Sequence, residues 1–375
     1  MKVKFSDVVR RANTKEDRFN TDKEFYVGGE HMITGEYLIT RRGTIAGSNI
    51  GPMFYFGFKK GQVLLASRSP DLKKAGMVTF DGICSEKTFV IETKDESVLL
   101  QDFLPAIVRS ESFWKYANDN QSGSVNHFIN WTTFANYEFD LPDIETQRKL
   151  STLLWAMERT KTAYKNLIAK TDELVKSQFV EMFGQPGDDS KGWGLTTLGK
   201  CCVLNPKRPK DIPDDAPVSF VAMPSVSELG EIDTSVIKTY SDVKKGLTYF
   251  AEDDVLFAKI TPCMENGKGC VAKGLSSGIG VGSTEFHVLR PIAGKSNPYW
   301  LYCITIMPGF REAARKNMTG TGGQLRVPVS YLDRQPITLP PISLQEEFER
   351  FFLQTDKSKY VAQKATTNIK TYGIL

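Results

Sequence analysis

The chain repeats itself, and the repeat is the size of a domain. Leu141-Pro-Asp-Ile-Glu-Thr-Gln147 recurs 198 residues later as Leu339-Pro-Pro-Ile-Ser-Leu-Gln345. The same offset lays Ile129, Phe134 and Phe139 on Val327, Leu332 and Ile337, apolar on apolar. It also lays Ile83-Cys-Ser-Glu-Lys-Thr-Phe-Val-Ile91 on Val281-Gly-Ser-Thr-Glu-Phe-His-Val-Leu289. With one residue inserted, Phe113 and Asn120-Gln-Ser-Gly123 match Phe310 and Asn317-Met-Thr-Gly320. Near the start, Phe5-Ser-Asp-Val-Val9 matches Leu198-Gly-Lys-Cys-Cys202 at an offset of 193. Solenoid repeats run to about 20–50 residues, so this is a duplicated globular domain, each copy followed by a helix. The alternative, chance likeness between two generic α/β domains, does not account for one register held over so long a stretch.

Each copy opens with strand-rich sequence. Tyr37–Thr40, Gly61–Ala66 and Phe89–Glu92 read as strands in the first, and Val218–Val221, Asp254–Ala258 and Glu285–Leu289 in the second. Helical stretches are expected at about 97–119 and 297–317, each followed by a Ser/Gly- or Gly/Thr-rich loop and a short apolar strand. The Leu-Pro motif ends that strand, because proline fixes its own φ and pushes the preceding residue to an extended shape. A long helix over 145–184 then carries a 3,4-spaced seam of Leu150, Leu153, Met157, Thr160, Tyr164, Leu167, Thr171 and Leu174. Its counterpart over 343–372 carries Phe348, Phe351, Thr355, Ser358, Ala362, Ala365, Ile369 and Tyr372, rich in small residues. Neither stripe stabilises a lone helix in water, so the two are expected to pack on each other; packing of each on its own domain stays open. The expected plan is α+β and pseudo-twofold. Similar domains occupy 1–140 and 185–338, the latter opening with a Gly/Pro/Asp/Ser linker at 185–192, and two long antiparallel coiled-coil helices occupy 141–184 and 339–375.

Composition narrows the function classes. Hydrophobic residues are 41% and charged residues 25% of the chain, as in soluble globular proteins. The net charge of +4 permits nucleic-acid binding without demanding it. No apolar run approaches the roughly 18 residues of a membrane helix, and the N-terminus lacks a signal-peptide core; a cytoplasmic location is expected. The six cysteines form no CxxC pair and read as buried free thiols, and the three histidines, His31, His127 and His287, are too scattered for a metal cluster or a His-based triad. P-loop, Rossmann and nucleophile-elbow motifs are absent. Asn297-Pro-Tyr-Trp300 lacks the second proline of the amino-methyltransferase motif and reads as a helix start, and Thr319-Gly-Thr-Gly-Gly323 reads as a flexible loop near DNA backbone. No metal and no cofactor are expected in this chain.

Taken in order, and duplicated, the motifs resemble those of the specificity subunits of type I restriction–modification systems. The resemblance rests on Gly61–Gly76, Asp254–Gly269, Ser283–Arg290, the two Leu-Pro-x-Ile-x-x-Gln helix openings, the helix end Phe179-Val-Glu-Met-Phe-Gly184 and Gly192–Gly199, and spans nearly the whole chain. The second copy departs from the pattern: it runs to Thr371-Tyr-Gly-Ile-Leu375 without a counterpart of Phe179–Gly184. The resemblance implies a non-catalytic subunit whose two target-recognition domains each read half of a split double-stranded DNA site. It implies that the helices set the spacing and dock two modification methyltransferase subunits, which use S-adenosylmethionine on adenine. Restriction subunits using ATP and Mg for translocation are a further implied partner. Two readings stay open beside it: the specificity subunit of a related system with a fused methyltransferase–nuclease partner, and a protein-binding scaffold without DNA recognition.

Candidate DNA contacts follow from residue type and loop position. In the first copy they are Arg10, Arg11, Arg41, Arg42, Lys59, Lys60, Arg68, Lys73 and Lys74, and in the second Lys207, Arg208, Lys210, Lys259, Lys268, Arg315, Lys316 and Arg326. Most are expected on phosphates, where they set register. Gln121, Asn126, Asn266 and Gln324 are the amides placed to read adenine.

Overall fold

The computed structural model describes residues 1–321 and 323–372, with the side chains of 367–372 left out; Ile369 and Tyr372 of the expected seam therefore lie outside the described side chains. The chain forms two compact units, Met1–Lys165 with Lys364–Leu375, and Asn166–Gln363. The division between the units falls within each of the two long helical segments.

The first unit holds two sheets. One runs in the order Val9–Arg11, Thr88–Thr93, Val63–Ala66, Ala75–Val78, Leu38–Ile39, and the other Gly43–Thr44, Phe25–Val27, Gly82–Ser85, Phe54–Phe58. The second unit repeats this. Its sheets run Cys202–Leu204, Phe286–Pro291, Val255–Ala258, Gly269–Val271, and Ile237–Thr239, Pro217–Val221, Ile279–Gly282, Thr248–Ala251. Directions agree as well as order. Phe25–Val27 lies parallel to Gly82–Ser85, as Pro217–Val221 does to Ile279–Gly282. Each unit also has an antiparallel ribbon, Lys2–Lys4 with Glu138–Asp140 and Leu195–Thr197 with Pro336–Thr338. Among the described residues the first unit adds the edge strand Leu38–Ile39, and the second adds the strand pair Thr319–Thr321 with Gln324–Arg326. The duplication legible in the sequence is thus a duplication of topology.

The central strands Val63–Ala66 and Val255–Ala258 are buried on both faces, as their unbroken apolar runs require. Against these sheets pack short helices rather than the continuous ones expected at 97–119 and 297–317. In the first unit Ser110 accepts a hydrogen bond from the Phe113 amide at 3.2 Å and starts Glu111–Asp119 afresh. In the second, Pro308 ends Pro298–Ile306 and opens Pro308–Lys316. Asn297 accepts from the Tyr299 amide at 2.9 Å, so Asn297–Trp300 is a helix N-cap.

The long helices span Ile144–Phe183 and Ile342–Tyr372. The glutamine of each Leu-Pro motif explains the repeat: it ties the helix start to its own unit. Gln147, fully buried, accepts from the Leu100 amide (3.0 Å) and donates to the carbonyls of Val98 (2.9 Å) and Pro142 (2.8 Å). Gln345, also fully buried, accepts from the Asn297 amide (2.9 Å) and donates to the carbonyls of Lys295 (3.1 Å) and Pro340 (2.8 Å). Glutamine alone among the neutral side chains offers an acceptor and two donors at that reach.

In the second unit the helices meet antiparallel: Lys359 pairs with Asp172 at 2.7 Å, while Phe179 and Phe183 both lie 5.5 Å from Phe348. The seam differs from the expected one. Leu150, Leu153, Leu167 and Leu174 are exposed, and Met157 and Tyr164 are half-buried. The buried stripe of the first helix runs largely one residue later, through Ser151, Glu158, Lys161, Thr171, Val175, Phe179 and Phe183. On the second helix Phe348 and Ala362 are buried as expected and Phe351 and Ala365 are half-buried; the buried Lys359 replaces the exposed Ser358. The physical reason is that polar residues hold the seam. Lys161 donates to the Gly35 carbonyl at 3.2 Å and pairs with Glu158, also at 3.2 Å. Lys359, its counterpart at the repeat offset, donates to the Leu229 carbonyl at 2.8 Å. Satisfied charges sit where a hydrophobic pattern would place leucines.

Candidate nucleic-acid interface

A hairpin rises at the same place in each unit. In the first, Ser122 bridges Phe128, the Ser69 amide donates to the His127 carbonyl (3.1 Å), and Ile129 to Ser67 (2.8 Å). In the second, Thr319–Thr321 pairs with Gln324–Arg326, the Thr261 amide donates to the Leu325 carbonyl (3.0 Å), and Val327 to Lys259 (2.9 Å). The flexible loop expected at Thr319–Gly323 is therefore part of a β-hairpin among the described residues. Both roots need glycine. Gly123 (φ +93°) and Gly320 (φ +139°) are matched positions, and a Cβ at either would come within 2.5 Å of a backbone oxygen.

These hairpins gather some of the expected contacts. In the first unit Arg68, at the end of the central strand, stands with Gln121 and Asn126, all three exposed; Arg68 lies 5.6 Å from the Phe128 ring centroid. In the second, Lys259 occupies the corresponding strand end, with Gln324 and Arg326 on the hairpin and Asn266 on the following loop. Arg315 and Lys316 close the helix that feeds this hairpin.

Other expected contacts lie elsewhere or are engaged. Strands Val63–Ala66 and Thr88–Thr93 are antiparallel, so Lys59 and Lys60, before Val63, and Arg10, opposite Glu92, occupy the sheet end away from Arg68. Arg10 bonds Glu92 (2.8 Å), Lys73 bonds Glu111 (2.6 Å) and Lys74 donates to the Gly29 carbonyl (2.7 Å). Arg11 is half-buried over Phe56 and Phe89, where burial lowers its pKa. Arg42 stacks over Phe25 at 3.8 Å. Arg208 donates to Leu247 (3.1 Å), Lys268 to Met223 (3.4 Å), and Arg315 and Lys316 both pair with Glu312. Arg326 is forked onto Glu285, whose carboxyl is thereby held below its ordinary pKa. Arg41, Lys59, Lys60, Arg68, Lys207, Lys210 and Lys259 keep side chains free of any hydrogen bond or ion pair among the described residues. The same pairing brings in two residues not singled out from the sequence: Lys87, whose carbonyl accepts from the Ser67 amide and hydroxyl beside Arg68 and whose ammonium pairs with Glu86, and Val125, 85% exposed on the hairpin. Hairpin pairing, not residue type, places them.

Under the second hairpin a polar support holds the loops. His287 is buried; its Nε2 donates to the Val327 carbonyl (2.8 Å), and its Nδ1 accepts from Asn205 (3.1 Å). Burial lowers its pKa, which keeps this neutral form. Arg311, also buried, donates to the carbonyls of Thr305 (2.5 Å), Met264 (2.5 Å), Gly267 (3.2 Å) and Lys268 (3.4 Å), and lies 4.7 Å from the Phe257 ring. It thereby fixes the loop that carries Asn266. Among the described residues, no group of three or more His, Cys, Asp or Glu is arranged to hold a metal ion. No described helix is long and apolar enough to cross a membrane.

No protein-family model matches the chain. It is 41% identical over 174 residues to the type I restriction enzyme EcoAI specificity subunit of Escherichia coli, covering 45% of this chain and 29% of that protein. It is 37% identical over 187 residues to the EcoEI specificity subunit of the same organism, covering 50% and 31%. The chain thus matches about three tenths of the length of these curated relatives. Two solved structures share the fold. A type I restriction–modification system S subunit from M. genitalium has a TM-score of 0.56 at 11% identity, over 99% of this chain and 93% of that one. A chain from a study of complex assembly and conformational transition of the type I R-M system has a TM-score of 0.50 at 18% identity, over 99% and 95%.

Proposed function

We propose that this chain, a relative of the type I restriction enzyme specificity subunits, is a non-catalytic DNA-specificity subunit whose two units each read one half of a gapped site. The observation that carries the reading is the pair of hairpins, built alike in two copies of one topology, each combining free cations with exposed amides. Cations of this kind hold phosphates and set register, while amides discriminate bases. The partners are two modification methyltransferase subunits acting on adenine with S-adenosylmethionine, with restriction and translocase subunits using ATP and Mg in the complete system. Chemistry comes from those partners, and the chain supplies the address.

Arg68 and Lys259 stand at corresponding strand ends and are the test positions. Arg68→Ala and Lys259→Ala, each in the chain assembled with its methyltransferase partner, are expected to weaken binding of a methylatable duplex by about tenfold at moderate salt. Each is expected to lower the slope of log affinity against log salt by about 1. Titration of a labelled duplex at several salt concentrations checks this. Affinity and slope unchanged in both variants would contradict the assignment of these strand ends to the DNA.

A further inference from the structure

The pairing that roots each hairpin repeats residue for residue. In the first unit the Ser67 amide donates to the Lys87 carbonyl and the Ile129 amide to the Ser67 carbonyl, both at 2.8 Å. In the second the Lys259 amide donates to the Glu285 carbonyl and the Val327 amide to the Lys259 carbonyl, both at 2.9 Å. Arg68 bridges Phe128 in the one, and Ile260 bridges Arg326 in the other. Lys87 and Phe128 therefore stand where Glu285 and Arg326 stand. The backbone is alike and the chemistry is not. An ammonium and an aromatic ring in one copy are a carboxylate and a guanidinium in the other. Two readers of different half-sites diverge at just such a place.

In the second unit these two side chains form a fork. Arg326 Nε donates to Glu285 Oε2 (2.9 Å), Nη2 to Glu285 Oε1 (2.8 Å) and Nη1 to the Gln324 carbonyl (3.3 Å). A guanidinium carries five N–H groups. Two are left over, one on each terminal nitrogen, without a partner among the described residues. The Arg326 side chain is 39% exposed. Its backbone is held on both sides: the Leu325 amide donates to the Thr261 hydroxyl (3.1 Å), and the Val327 carbonyl accepts from His287 (2.8 Å). The guanidinium is thus fixed in direction with a pair of donors to spare.

The carboxylate decides what those donors suit. It cancels the charge that a phosphate contact uses, and it sets an anion beside the site that repels phosphate oxygens. The O6 and N7 atoms of guanine are an uncharged pair of acceptors that two N–H groups match. We propose that Arg326 reads a guanine in the half-site of the second unit and that Glu285 is its positioning residue. This role rests on the DNA reading above. The ion pair takes Arg326 out of the phosphate contacts and into the base contacts.

Methylation mapping and duplex titration, with the chain assembled with its methyltransferase partner, test both residues. Arg326→Lys keeps the charge and loses the fork. At one guanine position of one half-site it is expected to lower discrimination at least tenfold. The other half, the spacer and the slope of log affinity against log salt stay as they are. Glu285→Gln is expected to relax the same position several-fold and, by freeing the cation, to raise affinity for unrelated duplex. A merely structural pair would not confine both effects to one base pair. A motif retained at every position in both variants, or binding weakened alike on all sequences by Arg326→Lys, would overturn the role given to Arg326. Relaxation by Arg326→Lys without any by Glu285→Gln would overturn that given to Glu285. A native complex that methylates no defined motif would overturn the DNA reading and both roles with it.

Discussion

Replacing Arg311 by methionine is expected to destabilise the second unit by about 4 kcal/mol. The side chain is long enough to be replaced without a large void, so the loss is electrostatic. The carbonyls of Thr305, Met264, Gly267 and Lys268 lose the guanidinium at once, while those of Met264 and Lys268 keep the amides of Gly267 (3.1 Å) and Ala258 (3.2 Å). A buried acceptor left unsatisfied costs about 1–3 kcal/mol, and those nearest the surface recover water. Burial pulls the guanidinium pKa down to about 10, so it is charged at neutral pH and all four bonds are charge-assisted. A fall in Tm of about 10 °C corresponds to a loss of this size in a unit of this length. Differential scanning calorimetry of the full chain measures it, and a shift below about 2 °C would mean that Arg311 does not hold the loop. Because that loop carries Asn266, proteolytic nicking near 260–268 is expected to rise in parallel.

Gln345→Leu is the second large effect. Leucine matches the volume closely but leaves the Asn297 amide and the carbonyls of Lys295 and Pro340 without partners. About 3 kcal/mol of stability is expected to go, and Gln147→Leu is expected to cost the first unit a similar amount through Leu100, Val98 and Pro142. Chemical denaturation checks both, with Gln354→Leu on the exposed face of the same helix as the control near zero. Equal, small losses in all three variants would mean that the motif glutamines do not hold the helix starts.

The two glutamines also show how much of the fold is legible in the sequence. Their repetition marks where each long helix begins, and the Leu-Pro pair marks where strand gives way to helix, because both depend on local backbone chemistry. Six strands fall within a residue or two of their expected places for the same reason: runs such as Val63–Ala66 and Val255–Ala258 admit few other structures. The helix seam is misplaced by hydrophobicity, which assigns it to Leu150, Leu153, Leu167 and Leu174, whereas its buried positions include Lys161 and Lys359, whose charges are met by loop carbonyls far away in sequence. The expected DNA-contact set is too broad for a related reason. Residue type identifies a cation but not its partner, so Arg10, Lys73 and Arg326 look the same as Arg68 until Glu92, Glu111 and Glu285 come into range. What separates the candidates is the hairpin at 121–128 and its repeat at 319–326, formed by pairings that span too much chain to be read locally.

The most direct measurement is methylation mapping of DNA exposed to the assembled complex, made once with the native chain and once with residues 319–326 exchanged for the hairpin of a relative of different specificity. The account predicts a gapped two-part motif in which the exchange alters one half and leaves the other half and the spacer unchanged. A contiguous motif, or an exchange that changes both halves together, would contradict it.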